Sequence, residues 1–524
     1  MAPTQEEQDD AAGKDRPGPR HARAVALWRR GLAALGAHGL LVLVGTLIRI
    51  PQLAHSLNEM HAFRQTQTAL VARSYAEGSI NLLHSPLPIF GRGADVPMEF
   101  PIVQAIGAVL MRLGLPDDVA MRLVSLVGFQ ASAVLLFLLL SRWHGRRIAL
   151  IALALFEFSP FGLAWGAASL IEFCAVAAAL TMVVGLDRWF TDGSRAWLAV
   201  GVVGGWLAFL IKVTTAPVWC LLLVASGLAV VSQTGWRPAL RRLVVGVVAG
   251  PVVGFVLALV WTRYADAVKA DSALYWWLAS GKLESWNFGT LDQRQIPDNY
   301  AIVSERVLQE IVGPTGLVAL AGLLFALLAR TWPDRLRRMA WPVAAVAGPL
   351  VFFNLYSAHN YYLSAVFAAW VVVAAFGVEF VARAATNGAS ARPGLVAAVL
   401  VGVILFRTAI SPLGGIDVLQ WRFGHPAPAA AGAISAATQP TDGILILGCD
   451  WDPTIPYYAH RAAVMPKFVP DDVDAMWDGA GGIAQWDYVY LCQPGIDVAP
   501  YLPAGITTQP TATAGLLRLV PEGR

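Results

Sequence analysis

Apolar runs long enough to cross a bilayer, separated by short basic loops, constrain this chain more than any other feature. A span needs roughly 20 mostly apolar residues, because lipid offers no partner to a bare backbone amide and a helix satisfies its own. About eleven runs meet or approach that length: 31–50, 119–141, 148–166, 170–186, 196–211, 214–232, 242–261, 313–329, 340–356, 361–382 and 394–411. The stretch 101–113 is apolar but too short to cross. With 14% charged residues, against about a quarter in an average soluble domain, the composition agrees with a membrane protein. A net charge of +3, spread in short clusters, gives no argument for a nucleic-acid partner. The expected class is an all-α polytopic membrane protein.

Orientation follows from Lys and Arg in the short loops. One set of loops carries Arg142, Arg146 and Arg147, then Arg188 and Arg195, then Arg237, Arg241 and Arg242, then Arg330, Arg335, Arg337 and Arg338, then Arg383 and Arg392. The alternate short loops carry only Lys212. The basic N-terminus belongs with the first set and is expected in the cytoplasm, with the first span a retained anchor in the plasma (inner) membrane. Eleven spans then put the C-terminus outside, along with three long segments, 52–118, 262–312 and 412–524. Residues 1–24 are polar and expected to be disordered, 25–411 form the membrane domain, 412–434 a Pro/Ala/Gly-rich linker, and 435–524 an extracytoplasmic module.

That module contains short buried-strand patterns at 443–450, 486–492 and 515–520, bounded by turn residues, which suggests a small α/β unit. Cys449 and Cys492 end two of these strands, so a disulfide and a pair of free buried thiols are both open readings. Cys174 and Cys220 lie in spans and read as core residues.

The first outer segment is the richest in chemistry. Phe63, Leu70, Val71 and Tyr75 recur on one helical face, with Arg64, Gln67, Thr68 and Arg73 elsewhere, the pattern of an amphipathic helix lying in the membrane interface. Glu59 and His61 stand just before it, and Glu99 just ahead of the short apolar helix at 101–113. Solvated loop acids would look the same. Glu172 and Glu157, at and inside spans, are functional candidates by default, although pairing with a nearby cation is their commoner fate.

NEMHAF (58–63) resembles the acidic opening of the first outer loop in the dolichyl-phosphate-mannose protein mannosyltransferases and their bacterial polyprenyl-phosphate-dependent relatives of the GT-C fold. FRQTQT followed by MEFP is closer still to a bacterial branch, and Arg122, LIKVTT (210–215) and HNYYL (359–363) agree. The resemblance covers about residues 25–411. This chain has Asn58-Glu59 where the mannosyltransferases have Asp-Glu, and Gln67 where the bacterial branch often has Asp, so the usual catalytic Asp is missing.

The resemblance implies sugar transfer from a polyprenyl-phosphate carrier to an acceptor hydroxyl on the outer face, with inversion, in assembly of a cell-envelope glycan or glycoprotein. Such a reaction needs a general base, for which Glu59 is the first choice and Glu99 the second, and fixed positive charge for the leaving phosphate. Lys212 and Arg64 suit the phosphate; His61, Gln67, His359, Tyr361 and Tyr362 are candidate sugar or phosphate contacts, against the plainer reading of interfacial anchors. Asp292 and Arg294 lie in a Trp-rich loop that is expected near the cavity. No cofactor is required; one or two outer acids could hold a divalent metal, but no ligand cluster demands it. The acceptor, glycan, lipid or protein, is not legible. The rival readings are a transporter or flippase of lipid-linked sugars, which would call for two similar halves, and a noncatalytic envelope scaffold.

Overall fold

The computed structural model describes residues 36–311, 316–386, 393–410 and 425–523; the expected tail 1–24 and most of the linker lie outside them. Helices occupy every stretch where a span is expected, but among the described residues only six are long and apolar enough to cross: Gly36–Ala54, Asp117–Trp143, Glu172–Asp192, Ala216–Thr234, Trp236–Ala270 and Asn360–Ala385. The expected count of eleven therefore stands only in part. Arg195–Ile211 and Pro393–Phe406 are apolar but short. The run expected as one span over 148–166 is two pieces, Arg146–Phe158 and Pro160–Trp165. Ser159 breaks it: its extended backbone precedes a proline at the first helical position, and its hydroxyl accepts from the Gly162 N–H as a cap.

Local rules explain the boundaries. Asp117 and Asp118 place negative charge in the first turn of Asp117–Trp143, where it meets the positive end of the helix dipole. Gly193, at φ 69°, closes Glu172–Asp192 in the left-handed conformation. That helix packs closely on Arg195–Ile211, since a Cβ at Gly185 would lie 2.4 Å from the backbone nitrogen of Gly201. Small residues substitute for the hydrophobic drive that lipid does not supply.

The C-terminal module is a five-stranded mixed sheet in the order β2-β1-β3-β5-β4, with β1 Gly443–Leu447, β2 Ala462–Val464, β3 Tyr488–Leu491, β4 Ile506–Pro510 and β5 Leu516–Pro521. The pairings of β1 with β2 and β3 are parallel, those of β5 antiparallel. Three strands match the sequence patterns; β2, three residues long, and the half-exposed β4 carry too few apolar residues to stand out. Cys449 and Cys492 form a disulfide, Cα to Cα 5.6 Å. The sheet edge at β2 is covered by residues 88–91: Ala463 and Met465 N–H donate to Pro88 and Ile89 carbonyls, and Gly91 N–H to the Ala463 carbonyl. An otherwise bare edge is thereby paired.

The helix expected to lie in the membrane interface is present as Ala62–Glu77, but it is buried on its polar faces too: Gln65, Thr66, Gln67, Thr68 and Arg73 are all buried. Their partners arrive from elsewhere. Arg73 pairs with Asp117, donates to the Tyr457 carbonyl at 2.6 Å and sits 3.9 Å from the Tyr457 ring centre. The Thr66 and Thr454 hydroxyls are 3.2 Å apart. The helix is an internal strut between membrane domain and module.

Candidate active site

The site lies where that strut meets the ends of several spans. His61 precedes the helix in a left-handed backbone conformation, φ 57°, one of three non-glycine residues with positive φ among the described residues. Arg64, one turn on, donates to Gln67 Oε1 at 2.7 Å and pairs with Glu99. Glu99 reaches it from the MEFP segment, whose Met98 carbonyl accepts from Trp261 at 2.9 Å. Lys212 enters from the break between Arg195–Ile211 and Ala216–Thr234; its ammonium pairs with Glu172 and lies 3.8 Å from Glu99. Lys212 is 5% exposed and Glu172 1%, whereas Arg64 and Glu99 keep 16% and 24%, so the group is open on its Arg64–Glu99 side.

Burial raises the Glu99 carboxyl, but Arg64 and Lys212 beside it outweigh that and hold it well below the usual carboxylate range. Glu59 is differently placed. It pairs with the fully buried Arg122 at 2.9 Å and accepts from Gln65 at 3.2 Å. Arg122 also donates to the Ser56 carbonyl at 2.7 Å and the His55 carbonyl at 3.1 Å, pinning the chain just before Glu59.

Above the cations lies a wall of rings. The Tyr361 and Tyr362 ring centres are 4.5 Å apart, Lys212 Nζ is 4.9 Å from the Tyr362 ring centre, and the His61 ring is 4.9 Å from Tyr361 and 4.8 Å from His359. Of the nine candidate residues, Arg64, Gln67, Glu99 and Lys212 form one cationic centre. His61, His359, Tyr361 and Tyr362 form the ring wall beside it, and Glu59 sits behind, on Arg122. Glu157, the other acid expected in a span, pairs with Arg49 at 3.0 Å with both side chains fully buried, away from this group.

Arg294 is spent on structure, donating to the Leu350, Val351 and Phe288 carbonyls, and Asp292 is exposed in the Leu291–Gln295 turn. The same segment does reach the wall through Trp286, 5.7 Å from His359.

Two residues escaped the sequence reading. Asn360, within the HNYYL motif, meets His61 Nε2 at 2.9 Å through Oδ1 and donates from Nδ2 to both oxygens of Glu310, at 3.1 and 3.2 Å. Glu310 is buried, and that burial pushes its carboxyl up to about 7, against the lowering effects of Asn360 and Arg306. It precedes an expected span much as Glu172 opens one, so the rule that singled out Glu172 applied to it as well. Among the described residues no group of three or more His, Cys, Asp or Glu side chains is gathered to hold a metal.

Residues 95–281 match the profile of the dolichyl-phosphate-mannose-protein mannosyltransferases. No curated protein matches the chain by sequence. Solved structures match it by fold. ArnT from Cupriavidus metallidurans, bound to undecaprenyl phosphate, gives a TM-score of 0.61 at 14% identity over 93% of this chain and 98% of that one. The oligosaccharyltransferase AglB from Archaeoglobus fulgidus, in complex with an inhibitory peptide and a dolichol-phosphate, gives 0.52 at 14% identity over 87% and 69%. The mycobacterial arabinofuranosyltransferase AftD gives 0.53 at 15% identity over 90% of this chain and 39% of that one. The chain thus has the fold of the GT-C type membrane glycosyltransferases, and its residues 95–281 match the dolichyl-phosphate-mannose-protein mannosyltransferase family.

Proposed function

We propose that the protein is a membrane glycosyltransferase that moves a sugar from a polyprenyl-phosphate carrier to an acceptor hydroxyl on the extracytoplasmic side of the plasma membrane. The observation that carries the reading is the convergence of Arg64 and Lys212 on one carboxylate, Glu99, with the Lys212 ammonium 4.9 Å from the Tyr362 ring centre. Two cations that share one carboxylate suit an anion that can replace it. Arg64 offers a planar fork for two phosphate oxygens and Lys212 a point charge. Both positions are fixed in advance, by Gln67 on one side and Glu172 on the other.

Glu99 lies against both cations, where the phosphate would take its place. When the anomeric C–O bond breaks, the electron pair stays with the phosphate oxygen, and the negative charge there meets cations already in place. The tyrosine and histidine rings offer the apolar face and hydrogen-bonding edges that a sugar ring needs. Glu59 holds Arg122 and the loop carrying His61 rather than facing the phosphate. The ligands bound in the fold relatives, undecaprenyl phosphate in ArnT and a dolichol-phosphate in AglB, support a lipid phosphate as the carrier.

The test is release of undecaprenyl phosphate from undecaprenyl-phosphate-linked hexoses and pentoses by the purified protein in proteoliposomes. Release by the wild type, lost in Arg64→Ala, supports the reading. Failure of every donor, with no binding of undecaprenyl phosphate, sinks it.

A further inference from the structure

We propose that His61 takes the proton from the acceptor hydroxyl, held in a single tautomer by Asn360 and Glu310. The inference rests on the transferase reading above.

The acids of the site are poorly suited to that task. Glu59 is bound to Arg122, Glu99 to Arg64 and Lys212, and Glu172 to Lys212. Each of these carboxylates already has an oxygen on a fixed cation. His61 pairs with no cation among the described residues, although the Arg306 charge acts on it. Its Nε2 meets Asn360 Oδ1, and the Asn360 amide group is turned by Glu310, whose two oxygens both receive Nδ2. Above its raised value of about 7 the Glu310 carboxyl is ionised and only accepts, so the amide presents N–H to it and its oxygen to His61. His61 must then carry its proton on Nε2 and leave the Nδ1 lone pair free, and no hydrogen bond to Nδ1 is present among the described residues. A base oriented by a second group that is itself oriented by a third is a recurring catalytic arrangement.

The backbone agrees. His61 is held at φ 57°, a conformation that costs a side-chain-bearing residue energy and is kept where the side chain's position matters. The groups facing the ring are His359, Tyr361 and Trp165 at 4.8, 4.9 and 5.6 Å, with Arg306 and Glu172 acting on it as charges. Half-burial lowers its basicity, which the Asn360 hydrogen bond partly restores, so the imidazole is neutral at neutral pH. In the step, the acceptor O–H bond breaks and its proton goes to Nδ1. The oxygen forms the new bond to the anomeric carbon, and the bond from that carbon to the lipid phosphate breaks. The imidazolium is paired through Asn360 with Glu310.

Two experiments on the full-length protein test this. In nanodiscs, ¹⁵N-histidine NMR with His61→Asn for assignment should show His61 neutral with its proton on Nε2; a proton on Nδ1, or a charged ring at pH 7.5, overturns the proposal whatever the donor. In the release assay His61→Gly, tolerated at positive φ, should lose roughly 100-fold or more in rate, keep undecaprenyl phosphate binding, and recover in part with added imidazole. A rate within about threefold of wild type, or a loss that imidazole does not relieve while lipid binding persists, overturns it. If His61→Gly does not bind the lipid, the acidic limb of the pH–rate profile decides: Glu310→Gln should move it to lower pH, and an unmoved limb overturns the proposal. Wild-type protein without transfer defeats the transferase reading instead, and the NMR result still stands or falls by itself.

Discussion

Replacing Lys212 by Met removes a buried cation and separates its structural role from its functional one. Lys212 and Glu172 are 5% and 1% exposed, and Glu172 Oε2 has no hydrogen-bond partner, so the ammonium is what makes that carboxylate tolerable. Removing one partner of a buried pair costs about 3–5 kcal/mol, because the other charge is left unpaired. Lys212→Met should therefore lower the melting temperature of the purified protein sharply. Adding Glu172→Gln removes the orphaned charge and should restore most of that loss, since a pair replaced on both sides is near neutral. Lipid binding should not recover. A charge-assisted hydrogen bond contributes about 1.5–3 kcal/mol, so the double variant should bind undecaprenyl phosphate on the order of 10- to 150-fold more weakly than wild type. The assay is a melt and a binding titration on wild type, both single variants and the double variant in one lipid nanodisc. A double variant that melts like wild type and also binds like wild type would refute the assignment of Lys212 to the phosphate.

Other outcomes follow from the same geometry. The Glu99 carboxyl is depressed in the folded state, so its contribution to stability is present above the unfolded carboxyl value and is lost only as pH falls through the lower folded one; the melting difference between wild type and Glu99→Gln should stay constant from pH 8 to about 5. Glu310 is the opposite case. Its carboxyl is raised to about 7, so the folded state binds more protons than the unfolded and stability falls as pH rises from about 4.5 to 7, by about 3 kcal/mol at most. Glu310→Gln should flatten that slope, as melts across the window will show. The Cys449–Cys492 disulfide closes a loop with a sequence separation of 43, which in the chain-entropy picture contributes about 4 kcal/mol. A Cys449→Ser/Cys492→Ser variant should expose its module to protease at lower temperature than wild type while the membrane helices melt as before.

The membrane class was legible because apolar runs are a local signal, and the acids and cations now grouped in the candidate site stood out because charge beside a span is rare enough to notice. Ser159–Pro160 was also readable as a break, but the apolar residues on both sides carried the run across it. The Ala62–Glu77 helix shows where local reading ends. Its periodicity fitted an interfacial helix, yet the partners that bury its polar side are Asp117, Thr454 and Tyr457, two of them nearly four hundred residues away. Nothing in residues 62–77 announces them. The same distance hid the Glu310–Asn360–His61 chain, whose members lie in three separate segments and look ordinary one at a time.

On the proposed function, Arg64 and Lys212 receive a lipid phosphate in the place that Glu99 occupies here. A structure of the full-length protein in nanodiscs with undecaprenyl phosphate tests it most directly. The phosphate should lie within hydrogen-bonding reach of both Arg64 and Lys212, with the Glu99 carboxylate moved off them. A phosphate bound elsewhere, with the Arg64–Glu99–Lys212 group unchanged, would contradict it.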